Sequence, residues 1–110
     1  MKRINSGENV LIRRNLEKAD GTVLLLSSLS TFTAEVMQNG SVIETLTYPS
    51  ARLRQGTTTS QAEVEINTTT SNKFKRGRVS IRWTLVAANA LFTSETTQKD
   101  IIIEDILDVV

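Results

Sequence analysis

The sequence contains no cysteine and no histidine among its 110 residues, and its aromatic residues are one Trp, one Tyr and three Phe. The missing cysteines exclude a disulfide scaffold, a thiolate metal site and a thiol nucleophile. The missing histidines remove the commonest general base and the commonest zinc ligand. Because a serine nucleophile needs an activating base, and no Gly-x-Ser-x-Gly elbow is present, we predict no enzymatic activity, no catalytic residues and no cofactor.

Long apolar runs and a dominant charge are also missing. The longest apolar run, residues 23–26, is far shorter than the roughly 20 residues of a membrane-spanning helix, so we expect no membrane partner. Residues 1–7 carry two basic side chains with no apolar stretch behind them, which is not the pattern of a secretory signal peptide. Thirteen basic and twelve acidic residues leave a net charge of +1, so bulk charge indicates no polyanionic partner.

Threonine and serine are abundant instead, with 15 Thr and 10 Ser. Threonine is β-branched and fits a pleated, half-buried surface better than a helix. Apolar residues alternate with polar ones rather than recurring at helical spacing, and Arg14 interrupts the first apolar stripe. The alternation predicts the following inward-facing core: Ile12, Leu16, Phe32, Val36, Leu46, Val64, Ile66, Val79, Ile81 and Trp83.

The central hairpin, residues 31–48, turns around Asn39-Gly40. A two-residue loop would place Glu35 opposite Glu44, and like charges directly opposite destabilise a strand pair. A three-residue loop, residues 38–40 with the glycine in the left-handed region, removes that clash. We therefore predict the three-residue loop, which pairs Val36 with Val42.

The remaining segments complete a β pattern. Residues 22–26 are predicted as a short buried strand, residues 50–60 as an exposed loop, and residues 68–76 as a polar connection with one helical turn. The last strand starts at residue 101 and runs towards Val109. Seven or so short strands, with turn signals at intervals of roughly ten residues, predict an all-β fold, a single antiparallel β-sandwich or small barrel over residues 1–110.

One basic run forms a candidate interaction patch. Nucleic acid would require such a patch with interleaved aromatic residues, and only Phe74 is interleaved here. Residues 1–92 hold twelve basic and seven acidic residues, a net charge of +5, whereas residues 93–110 have a net charge of −4. This polarity suits head-to-tail docking between neighbouring subunits as well as it suits nucleic acid. The patch consists of Lys73, Lys75, Arg76, Arg78 and Arg82.

Two groups of acidic residues are candidate sites. Glu63 and Glu65 share one strand face and could form an acid–base pair, but alternation alone places them on the solvent face. Glu104, Asp105 and Asp108 could ligate Ca²⁺, but no glycine supplies the sharp turn of a calcium loop. A charged tail that keeps an edge strand soluble is the favoured interpretation, and we predict no metal site.

The apolar C-terminal residues form a candidate assembly arm, made of Ile106, Leu107, Val109 and Val110. They and residues 1–7 could extend beyond the domain and add a strand to a neighbour's sheet. Alternatively, residues 106–110 form the last strand of the domain's own sheet, since terminal strands commonly pair within their own domain. Both alternatives stay open at the level of the sequence.

Five segments follow one another in an order typical of a known family. They are residues 7–12 (Gly-Glu-Asn-Val-Leu-Ile), 19–24 (Ala-Asp-Gly-Thr-Val-Leu), 33–36 (Thr-Ala-Glu-Val), 77–83 (Gly-Arg-Val-Ser-Ile-Arg-Trp) and 100–105 (Asp-Ile-Ile-Ile-Glu-Asp). Over nearly its whole length the chain resembles the small immunoglobulin-like β-sandwich modules of tailed-phage virion proteins, including upper-baseplate amino-terminal domains.

The resemblance implies an immunoglobulin-like β-sandwich that is located in the virion, assembles in the host cytoplasm and acts through contacts with other virion proteins and with copies of itself. Tail, baseplate, neck and capsid decoration all remain open as positions. No catalytic residues carry over, because the role of the family is assembly. The alternative is a carbohydrate- or nucleic-acid-binding sandwich. The first would gain support from exposed Tyr48 and Phe92, and nucleic acid is not the partner we expect.

Overall fold

The chain forms two β-sheets with almost no helix in a computed structural model that describes residues 2–16, 25–56, 61–87 and 100–110. A single turn of 3₁₀ helix, Leu26–Ser28, and a four-residue helix α1, Thr68–Ser71, accompany the strands. The described strands are β1 (Lys2–Ile4), β2 (Val10–Asn15), β3 (Leu29–Gln38), β4 (Ser41–Thr47), β5 (Leu53–Gln55), β6 (Gln61–Ile66), β7 (Gly77–Ala87) and β8 (Asp100–Val109).

The strands pair into a five-stranded sheet, in the order β1-β8-β7-β3-β4, and a three-stranded sheet, in the order β2-β6-β5. The predicted all-β sandwich is therefore confirmed. The prediction of purely antiparallel pairing is wrong at one edge, where β1 runs parallel to β8 with Lys2 opposite Leu107 and Ile4 opposite Val109. The N-terminal strand reaches this edge from a distant part of the sequence, so no hairpin constrains its direction.

The inner faces of the two sheets form one apolar core. Successive side chains of a strand point to opposite faces, so the alternating apolar residues of β2, β3, β6 and β7 all point between the sheets. Nine of the ten predicted core residues are buried, and Leu46, on the edge strand β4, is only partly buried. The Trp83 indole stacks on the Phe32 ring, with ring centroids 5.9 Å apart and an angle of 16° between the rings.

The β3–β4 hairpin turns through two residues, so the predicted three-residue loop is wrong. Asn39 and Gly40 both have positive φ, 53° and 77°, and Gln38 lies opposite Ser41. Paired left-handed residues match the right-handed twist of the flanking strands, which makes Asn-Gly a favoured two-residue turn.

A β-bulge, and not a longer loop, keeps the two glutamates of this hairpin apart. The register shifts between Val36 and Met37, so that Glu44 lies opposite Val36 and Glu35 lies opposite Thr45. An extra residue on one strand of a pair moves all later residues by one position and therefore to the other face. The like-charge clash that disfavoured the two-residue turn is removed in this way.

The bulge places Glu44 at one end of a row on the inner face of the five-stranded sheet, and Asp105 of β8 lies at the other end. The row runs across four strands as Glu44, Val36, Ile81 and Asp105. Apolar residues occupy the middle of the row, and the two carboxylates occupy its ends.

Asp105 contacts the core tryptophan and the opposite sheet. Its Oδ2 accepts a hydrogen bond of 2.7 Å from Trp83 Nε1, and its Oδ1 accepts one of 3.1 Å from Arg14 on β2. The arginine that interrupts the apolar stripe of β2 is thus on the inner face and pairs with a carboxylate there. Burying a charge is costly unless it is paired and hydrogen-bonded, and Asp105 meets both conditions.

Two connecting segments differ from the sequence-based predictions. Leu26, predicted in a buried strand, is buried but begins the 3₁₀ turn, and Leu25 is exposed. The predicted loop over residues 50–60 contains strand β5, in which Leu53 is fully buried. The helical turn predicted within residues 68–76 is confirmed as α1, whose first turn is capped by Asn67 Oδ1 accepting from the Thr70 N–H. Residues 19–24 and residues 57–60 of the predicted loop lie outside the described residues.

The chain ends dock within the domain rather than extending from it. In β8, Leu107 and Val109 are 2% exposed, and the Val110 N–H donates to the Ile4 carbonyl at 3.0 Å. At the other end, the Gly7 N–H donates to Ser71 Oγ at 2.9 Å. Within the candidate arms, Lys2–Ile4 and residues 106–109 are therefore strands of the domain's own sheet, because Leu107 and Val109 are buried in the core of the same chain.

We predict that Trp83→Ala lowers the free energy of unfolding by about 3–5 kcal/mol, because it leaves a cavity in the core. Trp83→Phe keeps most of the ring but removes the indole donor to Asp105, and should cost about 1–3 kcal/mol. Urea unfolding followed by far-UV circular dichroism measures both. The matched control is Thr84→Ala on the opposite face of β7, with an expected change of about 0.5 kcal/mol or less. A near-zero cost for Trp83→Ala would contradict a buried indole.

Candidate interaction surface

The outer face of the five-stranded sheet carries a row of alternating charge. Cross-strand register places Arg82 on β7 between Glu35 on β3 and Glu104 on β8. Neighbouring positions of this kind have Cβ atoms about 5 Å apart. None of the three side chains forms an ion pair with another described residue.

The next row towards the hairpin turn is mainly apolar. Met37, Ser80 and Ile106 lie side by side on β3, β7 and β8, and Val42 continues the row on β4 with 49% of its surface exposed. A surface depression of about 430 Å³ lies over this row. The depression lies there because the Ser80 side chain is shorter than those of Met37 and Ile106, its neighbours on the two adjacent strands.

A second charged row lies beyond the apolar one. Asp108 on β8 lies between Arg78 on β7 and Arg3 on β1 in the cross-strand register. Arg3 Nε approaches Asp108 Oδ2 at 3.8 Å, and the Arg3 side chain is 79% exposed, so this pair is weak. Two rows of alternating charge thus border an apolar row on an open sheet face.

The predicted basic patch is divided by the fold. Lys73, Lys75 and Arg76 are exposed on the connection between α1 and β7. Arg78 and Arg82 instead lie on the sheet face, each beside an acidic residue of β8. The interleaved Phe74 is buried, so it presents no ring for a nucleic-acid base to stack on.

The separation of charge along the sequence also disappears in three dimensions. The acidic C-terminal stretch contains β8, which pairs along its whole length with the basic strand β7. Positive and negative residues therefore alternate on one surface. Antiparallel pairing places the acidic residues of β8 beside the arginines of β7, so the separation of charge along the sequence does not carry over to this sheet face.

The acidic residues of β8 do not converge on a single point. Glu104 and Asp108 belong to the outer face, whereas Asp105 points inward to Trp83 and Arg14. Strand alternation separates adjacent positions onto opposite faces, so these three residues do not form a calcium site. Within the described ranges, no cluster of three or more metal-ligating side chains is present.

Glu63 and Glu65 share the outer face of the three-stranded sheet, as predicted, but Glu63 does not face solvent. It is 3% exposed and lies between Arg13 and Arg54, with contacts of 3.0 and 3.5 Å. Glu65 also pairs with Arg54, at 3.2 Å. Arg13 and Arg54 lie directly opposite Glu63 on the two neighbouring strands, which explains why both form ion pairs with it. Alternation indicated the face but not these partners.

Glu44 anchors a polar network that sequence reasoning missed. Arg52 donates two hydrogen bonds to its carboxylate, at 2.6 and 2.9 Å, and Thr70 Oγ1 donates a third at 2.9 Å. Arg52 also donates to the Glu65 carbonyl, which connects β4 to β6. The hydrogen bonds from Arg52 lower the pKa of Glu44 below its usual 4.5, an effect that partial burial opposes and that Thr70 reinforces. No local pattern indicates this network, because its members come from four separate segments.

The described aromatic residues are mostly internal. Phe32, Phe74 and Trp83 are buried, and Tyr48 is half-buried with its ring edge against Phe32, at a centroid distance of 6.4 Å. Phe92 lies outside the described residues. The described aromatics therefore do not form an exposed platform of the kind used to bind sugars.

Comparisons with known family models, curated proteins and solved structures find no match to this chain. In the described part of the chain, neither helix has the length and apolar character required to cross a membrane.

We predict that the stabilisation from Glu44 depends on pH. Because the pKa of Glu44 is lower in the folded than in the unfolded protein, its contribution is complete above the unfolded value and is lost as the pH falls through the folded one. Glu44→Gln should therefore cost about 1–3 kcal/mol near neutral pH and progressively less as the pH falls below 4.5. Urea unfolding of both proteins across this range measures the difference.

The matched control is Glu104→Gln, which removes an acidic residue that has no ion pair within the described chain. Its stability difference from the wild type should stay small at every pH. An equal, pH-independent loss for Glu44→Gln and Glu104→Gln would contradict the role assigned to the Glu44 network.

Proposed function

We propose that this protein is a non-enzymatic structural or assembly component of a bacteriophage virion, in the tail, baseplate, neck or capsid decoration. It acts through contacts with other virion proteins and with copies of itself. The observation that carries the proposal is the outer face of the five-stranded sheet, where a mainly apolar, partly exposed row lies between two rows of alternating charge.

The sheet face has the composition of a protein-binding surface. On it, Val42 and Ile102 are 49% and 62% exposed, and the charged residues surround the apolar row. An apolar centre with a polar rim is the usual anatomy of a protein–protein interface. Isolated apolar residues on a surface are ordinary. Here they share a continuous face with Arg82 and Glu104, neither of which forms an ion pair with another described residue.

The resemblance to virion modules supports the same function. Three of the segments that carry it, residues 33–36, 77–83 and 100–105, belong to β3, β7 and β8. These are the adjacent strands at the centre of the five-stranded sheet. The sequence features that resemble an assembly family thus form the surface that we assign to assembly.

The two alternative functions have less support. For nucleic acid, the exposed residues Lys73, Lys75 and Arg76 provide positive charge, but the buried Phe74 cannot stack on bases. For carbohydrate, the described aromatic residues are buried or half-buried. Neither alternative uses the alternating charge of the sheet face.

Mass spectrometry of virions from the source of this protein tests the proposal. We expect the protein to stay at a constant ratio to the major capsid protein through successive density gradients. Host proteins that merely adhere should decrease with each gradient, and they serve as the internal control. Absence of the protein from purified particles would contradict the virion assignment.

Salt dependence tests the nucleic-acid alternative. We expect weak DNA binding that is lost near physiological salt, because a small basic cluster supplies only non-specific attraction. If the five basic residues of the patch neutralised phosphates, the log–log salt slope would be several units, up to about 4–5. Fluorescence anisotropy between low and physiological salt measures it. Tight binding that persists at physiological salt, and that Lys73→Ala weakens far more than the control Lys2→Ala, would favour the alternative.

A further inference from the structure

We infer that the outer face of the five-stranded sheet binds a second copy of this chain about a twofold axis that runs parallel to the strands, between β7 and β8. The inference rests on the proposed assembly function and names the surface and the partner. A second copy is the expected partner because the charges of this face are complementary to those of the same face on another copy.

The two charged rows determine the direction of the axis. An axis between β7 and β8 exchanges these strands, so Arg82 meets the partner subunit's Glu104, and Arg78 meets the partner subunit's Asp108. Symmetry repeats each contact, as in any isologous interface. An axis across the strands would instead bring arginine onto arginine and carboxylate onto carboxylate, so the charges select the parallel axis.

The apolar row fits the same axis. The exchange of β7 and β8 places Ile106 of one copy over the partner subunit's Ser80. Serine is the small residue of this row, and the depression of about 430 Å³ lies over it. The half-buried Ile106 lies beside the depression on the next strand. Each copy therefore offers both an apolar side chain and a recess for it.

The area of the face is compatible with a specific contact. With strands about 4.8 Å apart and a rise of about 3.3 Å per residue, the four strands that the axis stacks on one another, β1, β8, β7 and β3, cover roughly 500 Å². Standard interfaces bury about 800 Å² per partner, so side chains at the rim would supply the remainder. Stacked sheets lie about 10 Å apart, which lets the side chains of both faces meet.

The test uses two charge reversals, Arg82→Glu and Glu104→Arg, with molar mass measured by light scattering and sedimentation. We expect the wild type to dimerise. Each variant alone should dissociate at least about tenfold more readily, because like charges then meet across the axis. An equimolar mixture of the two variants should recover the dimer, since position 82 of each copy then faces an opposite charge at position 104 of the other.

Two controls separate this contact from general effects of charge. Glu65→Arg changes the net charge as much as Glu104→Arg does, but position 65 lies on the three-stranded sheet, away from the proposed contact, so its dimer should persist. Circular dichroism of each variant checks folding. If a reversal fails to fold, Ser80→Phe fills the depression without a change of charge and should also give monomers.

The inference and the proposed function fail in different ways. A monomeric wild type at hundreds of micromolar, or a mixture of variants that does not recover the dimer, would overturn the inference even if virions contain the protein. A recovered dimer together with absence from purified virions would support the inference and contradict the virion assignment.

Discussion

The structure depends on one row of residues across the inner face of the five-stranded sheet, in which Glu44 and Asp105 flank Val36 and Ile81. Each carboxylate sits at a side of the sandwich where the apolar core ends. Arg52 pairs with Glu44 beside one edge of the three-stranded sheet, and Arg14 pairs with Asp105 from the other edge strand, β2. Arginine–carboxylate pairs thus join the sheets on both sides of an apolar centre.

The bulge in the central hairpin places Glu44 in this row, opposite Val36. Without the bulge, Glu44 would lie opposite Glu35 on the outer face, where the like charges would repel. The shifted register moves Glu44 to the inner side and within reach of Arg52. A single extra residue therefore removes a repulsion on one face of the sheet and supplies an ion pair on the other.

The arginines of the inner and outer faces differ in their ion pairs, and this difference explains why the outer face is suited to binding. The arginines nearest the core, Arg14 and Arg52, have carboxylate partners within the domain. Arg82 and Glu104, on the outside, have no ion pair within the described chain, although they are neighbours in the register. Internal ion pairs hold the sandwich together, and the external charges can act between molecules.

The sequence by itself determined which residues form strands and which side of each strand is apolar. Val79, Ile81 and Trp83 could be assigned to the core because strand alternation is a local property with a period of two residues. Only the tertiary structure decided the parallel docking of β1 on β8, the bulge in β4 between Val42 and Glu44, and the partners of Arg14 and Glu63. These features depend on contacts between residues far apart in the chain, and a residue pattern with a period of two carries no information about which strand will lie opposite.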